Sequence, residues 1–209
     1  IDIVMNELDA LANINLKTRE VREELRSLQI IRIGTTGGLQ ADTPVNSWVV
    51  SRKSVGFDGL LNFYASRKRV CDLSFEESLR SYLEWPSWLP APYVVDASDV
   101  LLPFFSDDRF IQGVNISAPG FYGPQGRVLR LPLAIPDINE KLEKFRYNDW
   151  KITNYEMESS AIYGLSRMLG HEAITVCLLI ANRRSFAANK DYHANMEVFL
   201  RAVLDNLTQ

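Results

Sequence analysis

Residues 30–39 read Ile30-Ile31-Arg32-Ile33-Gly34-Thr35-Thr36-Gly37-Gly38-Leu39. The β-branched run that begins this segment predicts a buried strand, and the glycines and threonines after Ile33 predict that the strand breaks there into a turn. Glycines allow successive backbone N–H groups to surround an anion, and the hydroxyls of Thr35 and Thr36 add donors. Arg32 needs an anionic partner inside an apolar run. The alternative is a plain strand and turn, with Arg32 reaching solvent or pairing with a carboxylate.

The length and composition of the chain predict one large globular domain over residues 1–209. The net charge is −3 with both signs interspersed, which does not suggest a surface for nucleic acid or membranes. The longest apolar runs are too short to cross a bilayer. The segment Ile1-Asp2-Ile3-Val4 lacks the basic region of a signal peptide. We therefore expect a cytoplasmic protein with no nucleic-acid or membrane partner.

Cysteines and histidines are few, and their positions argue against metal or nucleophile chemistry. Cys71 and Cys177 have no metal-ligand spacing, and Cys177 lies in an apolar run, as a reduced core residue would. His171 follows a glycine at a predicted helix end, and His193 begins a helical pattern. Because neither histidine adjoins a nucleophile signature, the sequence predicts no metal ion and no serine- or cysteine-hydrolase mechanism.

Strand and helix patterns alternate along the chain. Apolar patterns predict helices at residues 1–12, 75–85, 156–169 and 194–207, and strands at residues 29–34, 48–50, 110–116, 152–155 and 174–181. A charged surface helix is predicted at residues 136–145. This order predicts an α/β fold with a mixed, largely parallel central sheet flanked by helices. Ligands bind such sheets at the carboxyl ends of strands, and polar segments follow Ile33, Ile116 and Tyr155.

Two carboxylates stand where a strand is expected to turn into a helix, in the segment Asn154-Tyr155-Glu156-Met157-Glu158-Ser159. A helix start stabilises carboxylates through its unpaired N–H groups and its dipole, which is the purely structural interpretation. Because one residue separates Glu156 from Glu158, the two side chains project differently, and at least one can point into a cleft. A carboxylate there can accept hydrogen bonds from two adjacent hydroxyls, such as those of a ribose.

Gln125 and Arg127 form a candidate pair for recognising a base. Uracil presents an acceptor, a donor and an acceptor along one edge, and a glutamine amide matches two of these groups. An arginine can donate to O4 and to the negative charge of a departing base, whereas cytosine would leave that donor unpaired. Phe121 offers a ring for stacking. The alternative is that Gln125 and Arg127 are surface residues of a loop.

Three motifs occur in a defined order: Ile31–Gly38, Phe121-Tyr122-x-x-Gln125-Gly126-Arg127 and Asn154–Ser159. Their order and approximate spacing resemble those of the uridine phosphorylases, in the nucleoside phosphorylase family. Ile180-Ala181-Asn182-Arg183 resembles the last active-site strand of that family, so the resemblance covers almost the whole chain. It implies a nucleoside phosphorylase-like fold. It also implies a pentosyltransferase that cleaves uridine reversibly with phosphate, giving uracil and ribose 1-phosphate.

The resemblance implies roles for individual residues, with Arg32, Arg127 and Glu158 as the catalytic ones. Arg32 and Thr35 would bind phosphate, and Glu158 would hold the ribose hydroxyls. The substrate-binding residues would be Thr36, Gly37, Phe121, Gln125, Arg127, Glu156, Met157, Glu158, Ile180 and Arg183. Purine-cleaving relatives place an aspartate after the last strand, whereas this chain has Asn182-Arg183-Arg184-Ser185, which favours a pyrimidine. The resemblance implies no cofactor, phosphate being a co-substrate, and a homo-oligomer, either a dimer or a hexamer.

The chain departs from the family pattern in two places. The family's N-terminal portion carries a glycine-rich phosphate loop and residues contributed to a neighbouring subunit. It has no counterpart here, so the domain is expected to be N-terminally incomplete. Lys68–Asp108 does not match the expected pattern and is a candidate for reshaping the substrate entrance. Two alternatives remain open, namely a nucleosidase that uses water and a catalytically silent nucleoside-binding or oligomer-forming remnant.

Overall fold

Strands and helices alternate along residues 1–208, the part of the chain that this computed structural model describes. The strands are β1 (Ile14–Asn15), β2 (Glu20–Val21), β3 (Gln29–Gly38), β4 (Trp48–Gly56), β5 (Tyr93–Asp96), β6 (Phe110–Ser117), β7 (Arg146–Tyr147), β8 (Trp150–Glu156) and β9 (Glu172–Asn182). The helices are α1 (Asp2–Asn13), α2 (Arg67–Val70), α3 (Leu73–Leu83), α4 (Ile138–Lys144), α5 (Ser159–Leu169) and α6 (His193–Leu207). This order confirms the predicted α/β class.

The central sheet has seven strands in the order β3-β9-β4-β6-β8-β7, with β5 paired to β4. The pairs β3–β9, β4–β6 and β6–β8 are parallel, and the pairs β4–β9, β4–β5, β3–β8 and β7–β8 are antiparallel. The end of β3 returns to β8, where Gly37 lies opposite Tyr155. The sheet is therefore mixed, as predicted, and its return pairing brings the ends of β3 and β8 together.

Two apolar clusters pack against this sheet. One contains Val176 of β9 with Tyr163 of α5 and Phe199 of α6, and the other contains side chains of β6, α3 and α4. Val94 and Val95 of β5 belong to different clusters, as expected for neighbours that point to opposite faces of a strand. Within residues 1–208 no helix has the length and apolar character needed to cross a membrane.

The predicted break after Ile33 is wrong, because β3 continues to Gly38. Gly34 lies opposite Cys177 of β9 and Gly38 opposite Asn182, so the glycine-rich segment remains paired along its whole length. A continuous parallel neighbour holds these residues extended, although glycine and threonine clusters usually end strands. The predicted turn of N–H groups around an anion is therefore replaced by a strand.

The proline-rich connection also contains an element that the sequence did not predict. β5 (Tyr93–Asp96) follows Pro92 directly and pairs with β4, from Gly56 opposite Tyr93 to Lys53 opposite Asp96. The residues Tyr-Val-Val-Asp do not alternate between apolar and polar, and so short an apolar run does not distinguish a strand from a buried helical segment. The pairing places the ring of Tyr93 against the backbone of Gly56.

Gly56 leaves no room for a side chain, which gives a stability prediction. A Cβ at this position would lie 2.2 Å from Cζ of the buried Tyr93 and 2.7 Å from Oγ of Ser160. We expect Gly56→Ala to lower the free energy of unfolding by about 1–3 kcal/mol, as other overpacked core substitutions do. Urea denaturation measures the change. Gly123→Ala is the matched control, because a Cβ at Gly123 would meet no atom within 4 Å. Equal unfolding midpoints for the two variants would contradict the packing argument.

Candidate active site

The ends of β3, β6 and β8 meet at one edge of the sheet. Gly37 of β3 lies opposite Tyr155 of β8, and Ser117 at the end of β6 lies opposite Glu156. β9 flanks β3 on its other side and ends beside Gly38. The three sequence motifs, with the last active-site strand that the resemblance implied, therefore occupy one region of the molecule.

Arg32 lies between two carboxylates and a thiol. Its Nη2 forms an ion pair with Glu158, its Nε lies 3.6 Å from Oε2 of Glu156, and its Nη1 donates to Sγ of Cys177 at 3.2 Å. Burial lowers the pKa of Arg32, but Cys177, Glu156 and Glu158 raise it by more, so the net shift of this pKa is upward. The guanidinium is therefore a permanent and closely held positive charge beside the junction of β8 and α5.

Two glycines of β3 make room for guanidinium groups. A Cβ at Gly34 would lie 2.7 Å from Nη1 of Arg32, and a Cβ at Gly37 would lie 2.5 Å from Nη1 of Arg183. Both distances are far below the contact distance of nonbonded atoms. These two glycines are thus explained by the close approach of two cations rather than by the predicted anion-binding turn.

Glu156 is a buried carboxylate that organises its surroundings. One oxygen accepts hydrogen bonds from Nδ2 of Asn115 and Oγ of Ser117. The other accepts from the backbone N–H groups of Glu158 at 2.8 Å and Ser159 at 2.9 Å. These donors occupy both oxygens, and the N–H groups belong to the start of α5, as the structural interpretation of the sequence expected. The geometry thus makes Glu156 a support for α5 and Arg32, and its place among the substrate-binding residues stays a prediction.

Glu158 occupies a different position from Glu156, although one residue separates them. Its side chain is 34% exposed against 1% for Glu156, and Arg32 is its ion-pair partner. Met157 between them is also exposed. The different directions expected for two carboxylates at this spacing are therefore observed, with Glu158 as the one that a ligand can reach.

Two guanidinium groups, one from the segment after β6 and one from the residue after β9, converge on a single amide oxygen. Oε1 of the buried Gln125 accepts a hydrogen bond from Nη1 of Arg127 at 2.8 Å and another from Nη2 of Arg183. The Arg127 guanidinium also lies 3.7 Å from the centre of the Phe121 ring, and that of Arg183 lies 4.4 Å from the centre of the Tyr155 ring. Stacking on aromatic faces offsets part of the cost of burying these two cations.

Arg127 and Arg183 both have lowered pKa values, and Arg183 has unpaired donors. Burial lowers the pKa of Arg127, and burial together with the charge of Arg127 lowers the pKa of Arg183 to about 10. Both groups remain charged at neutral pH. Nε and Nη1 of Arg183 are buried without a hydrogen-bond partner among residues 1–208. Unpaired buried donors are costly, so this arrangement favours a ligand that supplies acceptor atoms or negative charge.

The remaining predicted residues line the same region but differ in whether their polar groups are available to a ligand. Thr35 and Ile180 are half-buried. The hydroxyl of Thr36 donates to the carbonyl of Tyr155 at 2.6 Å and accepts from Nδ2 of Asn154 at 2.7 Å. The hydrogen of the Thr36 hydroxyl is therefore already committed to the pairing of β3 with β8, and among the two threonines Thr35 is the one left to donate to an anion.

Sequence reasoning missed several residues that shape the site. Cys177 was expected in the core and is buried there, but its sulfur also accepts from Arg32. Asn115 lies within the predicted strand 110–116 and Ser117 begins the polar segment after it, and both hold Glu156. Alternation of side chains along a strand is the signal that could have placed residues 115 and 117 on one face. Nothing in the apolar run around Cys177 indicated its contact with Arg32.

A cavity of about 600 Å³ adjoins residues 121–127, which carry the candidate base-recognising pair and are called the base-recognition segment below. Arg127 and Tyr122 form one wall of this cavity, and Trp85 and Leu131 contribute apolar surface. Trp85 belongs to the segment Lys68–Asp108, so the divergent part of the sequence does border the region beside Arg127. Within residues 1–208, no group of three or more His, Cys, Asp or Glu side chains is arranged to hold a metal ion.

Acidic and basic side chains at the strand ends of a mixed sheet are typical of α/β proteins that bind small polar ligands. The chain belongs to the phosphorylase superfamily, whose family model matches residues 10–209. Among curated relatives, the uridine phosphorylase of Thermococcus kodakarensis is 25% identical over 170 residues, covering 77% of this chain and 52% of the relative. The uridine phosphorylase of Haemophilus influenzae is 27% identical over 164 residues, covering 77% and 58%. The chain thus spans little more than half the length of these relatives.

Solved structures show the same fold. A nucleoside phosphorylase from Trypanosoma brucei, described as showing uridine phosphorylase activity, has a TM-score of 0.84 at 24% identity and covers 99% of this chain and 76% of its own. A structure from a study of two uridine phosphorylases of Phytophthora capsici has a TM-score of 0.61 at 19% identity, with 99% and 70% covered. The predicted family and the predicted nucleoside phosphorylase-like fold are confirmed.

Proposed function

We propose that the protein is a uridine phosphorylase, a pentosyltransferase that cleaves uridine reversibly with phosphate into uracil and ribose 1-phosphate. The observation that carries this proposal is the presence of two distinct cationic groups. Arg32 of β3 is held among the carboxylates of Glu156 and Glu158, and Arg127 and Arg183 converge on the amide of Gln125. Phosphorolysis needs one positive site for phosphate and another for the anionic leaving group.

Arg32 and Glu158 serve phosphate and ribose in this proposal. Phosphate oxygens accept strong hydrogen bonds from a guanidinium, so phosphate competes with Glu158 for Arg32. Glu158, once its pairing with Arg32 is loosened, accepts hydrogen bonds from the ribose hydroxyls. Thr35 adds a hydroxyl donor from the same strand. Holding both substrates in this way converts the encounter of phosphate with C1′ into a step within one complex.

Gln125, Arg127 and Arg183 serve the base. The Gln125 amide nitrogen donates to uracil O2, and the two guanidiniums face the negative charge that develops as the C–N bond breaks. Such preorganised donors contribute about 3–4 kcal/mol each in oxyanion holes, and we assign these arginines a similar part. Asn182 supports the choice of a pyrimidine, because its amide donates to the carbonyls of Gln40 and Thr43 and offers no acid to a purine.

The proposal extends to the protein's surroundings. Phosphate is its co-substrate and it uses no cofactor. It acts in the cytoplasm, where the free thiols of Cys71 and Cys177 would stay reduced. It is a single nucleoside phosphorylase-like domain that forms a dimer or a hexamer and takes part in pyrimidine salvage.

Uracil release from uridine, measured with and without phosphate, tests the proposal. We expect release that depends on phosphate, with ribose 1-phosphate as the second product. Equal release without phosphate would identify a nucleosidase. Uracil binding without release in either condition would identify a silent nucleoside-binding protein, and absence of both binding and release would overturn the proposal entirely.

A further inference from the structure

Asn139 on α4 makes three hydrogen bonds around the base-recognition segment. Its Nδ2 donates to the backbone carbonyls of Gln125 and Gly126, at 3.2 Å in each case. Its Oδ1 accepts from the hydroxyl of Tyr155 at 3.0 Å. The sequence predicted a charged surface helix over residues 136–145 and assigned none of its residues to the site. One half-buried amide on it nevertheless connects the helix to both β8 and the segment that carries Gln125.

The backbone at Gly126 is shaped to receive this amide. Gly126 has φ +65°, which glycine adopts without the strain that a side chain brings. A Cβ there would lie 2.4 Å from Nδ2 of Asn139. The turn is closed on its other side by the N–H of Gly126, which donates to the carbonyl of Gly123 at 2.9 Å. Asn139 therefore occupies a notch that exists only because residue 126 is glycine.

Asn139 is also connected to the side-chain amide of Gln125 indirectly, through Tyr155 and Arg183. The ring of the buried Tyr155 stacks with the guanidinium of Arg183, and Nη2 of Arg183 donates to Oε1 of Gln125. Asn139 thus holds the backbone of Gln125 directly through one hydrogen bond. It also holds the ring of Tyr155, which stacks with Arg183, the hydrogen-bond donor to the Gln125 side chain.

We propose that Asn139 is a positioning residue for the base, which sets the orientation of the Gln125 amide and thereby the affinity for uracil. The uracil part of this inference rests on the proposed function, whereas the orientation of Gln125 does not. Losing two backbone hydrogen bonds leaves the turn around Gly126 free to shift. A shift of the turn misaligns Gln125 for the base but does not touch Arg32, which lies on β3.

The test compares Asn139→Ala and Asn139→Asp with Glu140→Ala, an exposed position on the same helix whose carboxylate pairs with Lys144. In Asn139→Asp the Tyr155 acceptor is kept, but a carboxylate oxygen faces two carbonyls. The side-chain amide signals of Gln125 are followed by NMR in uniformly ¹⁵N-labelled protein, and uracil and phosphate affinities are measured by calorimetry. Unfolding midpoints identify any variant that fails to fold.

We expect Asn139→Ala to weaken uracil binding about tenfold, the equivalent of one or two modest hydrogen bonds. Asn139→Asp should weaken it further, and Glu140→Ala should leave it unchanged. Phosphate affinity should stay constant in all three, and the Gln125 amide signals should shift or broaden only in the Asn139 variants. Gln125 signals that are unchanged in both Asn139 variants would overturn the inference. If the unaltered protein neither binds uracil nor releases it from uridine, the proposed function fails, and the Gln125 signals alone decide whether Asn139 positions that amide.

Discussion

Arg32→Met is expected to lower the kcat/KM for phosphate by about a thousandfold, because a charged donor aimed at a reacting anion contributes roughly that much. Methionine keeps an unbranched apolar stem above Gly34, so the substitution removes the guanidinium without overfilling the space. It also releases Glu158 from its ion pair and leaves two carboxylates facing the position where phosphate would bind. Repulsion between these carboxylates and phosphate adds to the loss of the cation. Initial rates over a range of phosphate concentrations measure the effect.

Arg127→Met is the control that separates phosphate binding from base binding. Arg127 contacts Gln125 and Phe121 and makes no contact with Arg32 among its hydrogen bonds. We expect it to reduce kcat for uridine and to relax discrimination against cytidine, with little change in the KM for phosphate. If Arg32→Met left the kcat/KM for phosphate unchanged, the assignment of separate sites would be wrong. It would also be wrong if Arg127→Met raised the KM for phosphate as much as Arg32→Met does.

The sequence predicted those parts of the fold in which burial alone determines the spacing of apolar residues. β9 is buried along most of its length, and its nearly uninterrupted apolar run identified it as a central strand. Helices α5 and α6 were identified by apolar periodicity on one face. The position of the site followed from topology, because the polar segments after parallel strands must meet at one edge.

The parts that the sequence did not predict depend on partners distant in the chain. Gly34 and Gly37 suggested a turn, since glycine usually supplies conformational freedom, but here each one admits a guanidinium. The partner of Gly37 is Arg183, almost 150 residues later, and no local pattern could relate the two. Arg32 did reveal its need for an anion, and the structure shows that two carboxylates meet it.

The two glutamates of the β8–α5 junction illustrate the same limit. The sequence predicted that their side chains would diverge, but it did not indicate which would face a ligand. Burial decides this, because Glu156 points toward Asn115 and Ser117 of β6, a strand whose pairing with β8 cannot be inferred from spacing. Their contrasting environments lead to opposite expectations when each carboxylate is converted to an amide.

Glu156→Gln is expected to lower the free energy of unfolding by about 2–4 kcal/mol, the usual range for a buried polar network left with an unpaired member. Every partner of this carboxylate is a donor, so the new NH₂ group must face either Asn115 and Ser117 or the N–H groups that begin α5. Four hydrogen bonds re-form only if the Asn115 amide turns over and the Ser117 hydroxyl accepts, and the negative charge beside Arg32 is lost in either orientation. Urea denaturation followed by circular dichroism measures the loss, and activity should fall only as far as the folded fraction and the placement of Arg32 fall.

Glu158→Gln is expected to reverse this pattern, with a change in unfolding free energy below about 1 kcal/mol, as for most partly exposed ion pairs. Its kcat/KM for uridine should fall by about a hundredfold or more, because a neutral amide accepts hydrogen bonds from two ribose hydroxyls far less strongly than a carboxylate does. The same denaturation and initial-rate measurements on both variants give the comparison. A folded, fully active Glu158→Gln would remove Glu158 from the ribose site. A stable Glu156→Gln with strongly reduced activity would favour the direct substrate-binding role that the resemblance implied for Glu156.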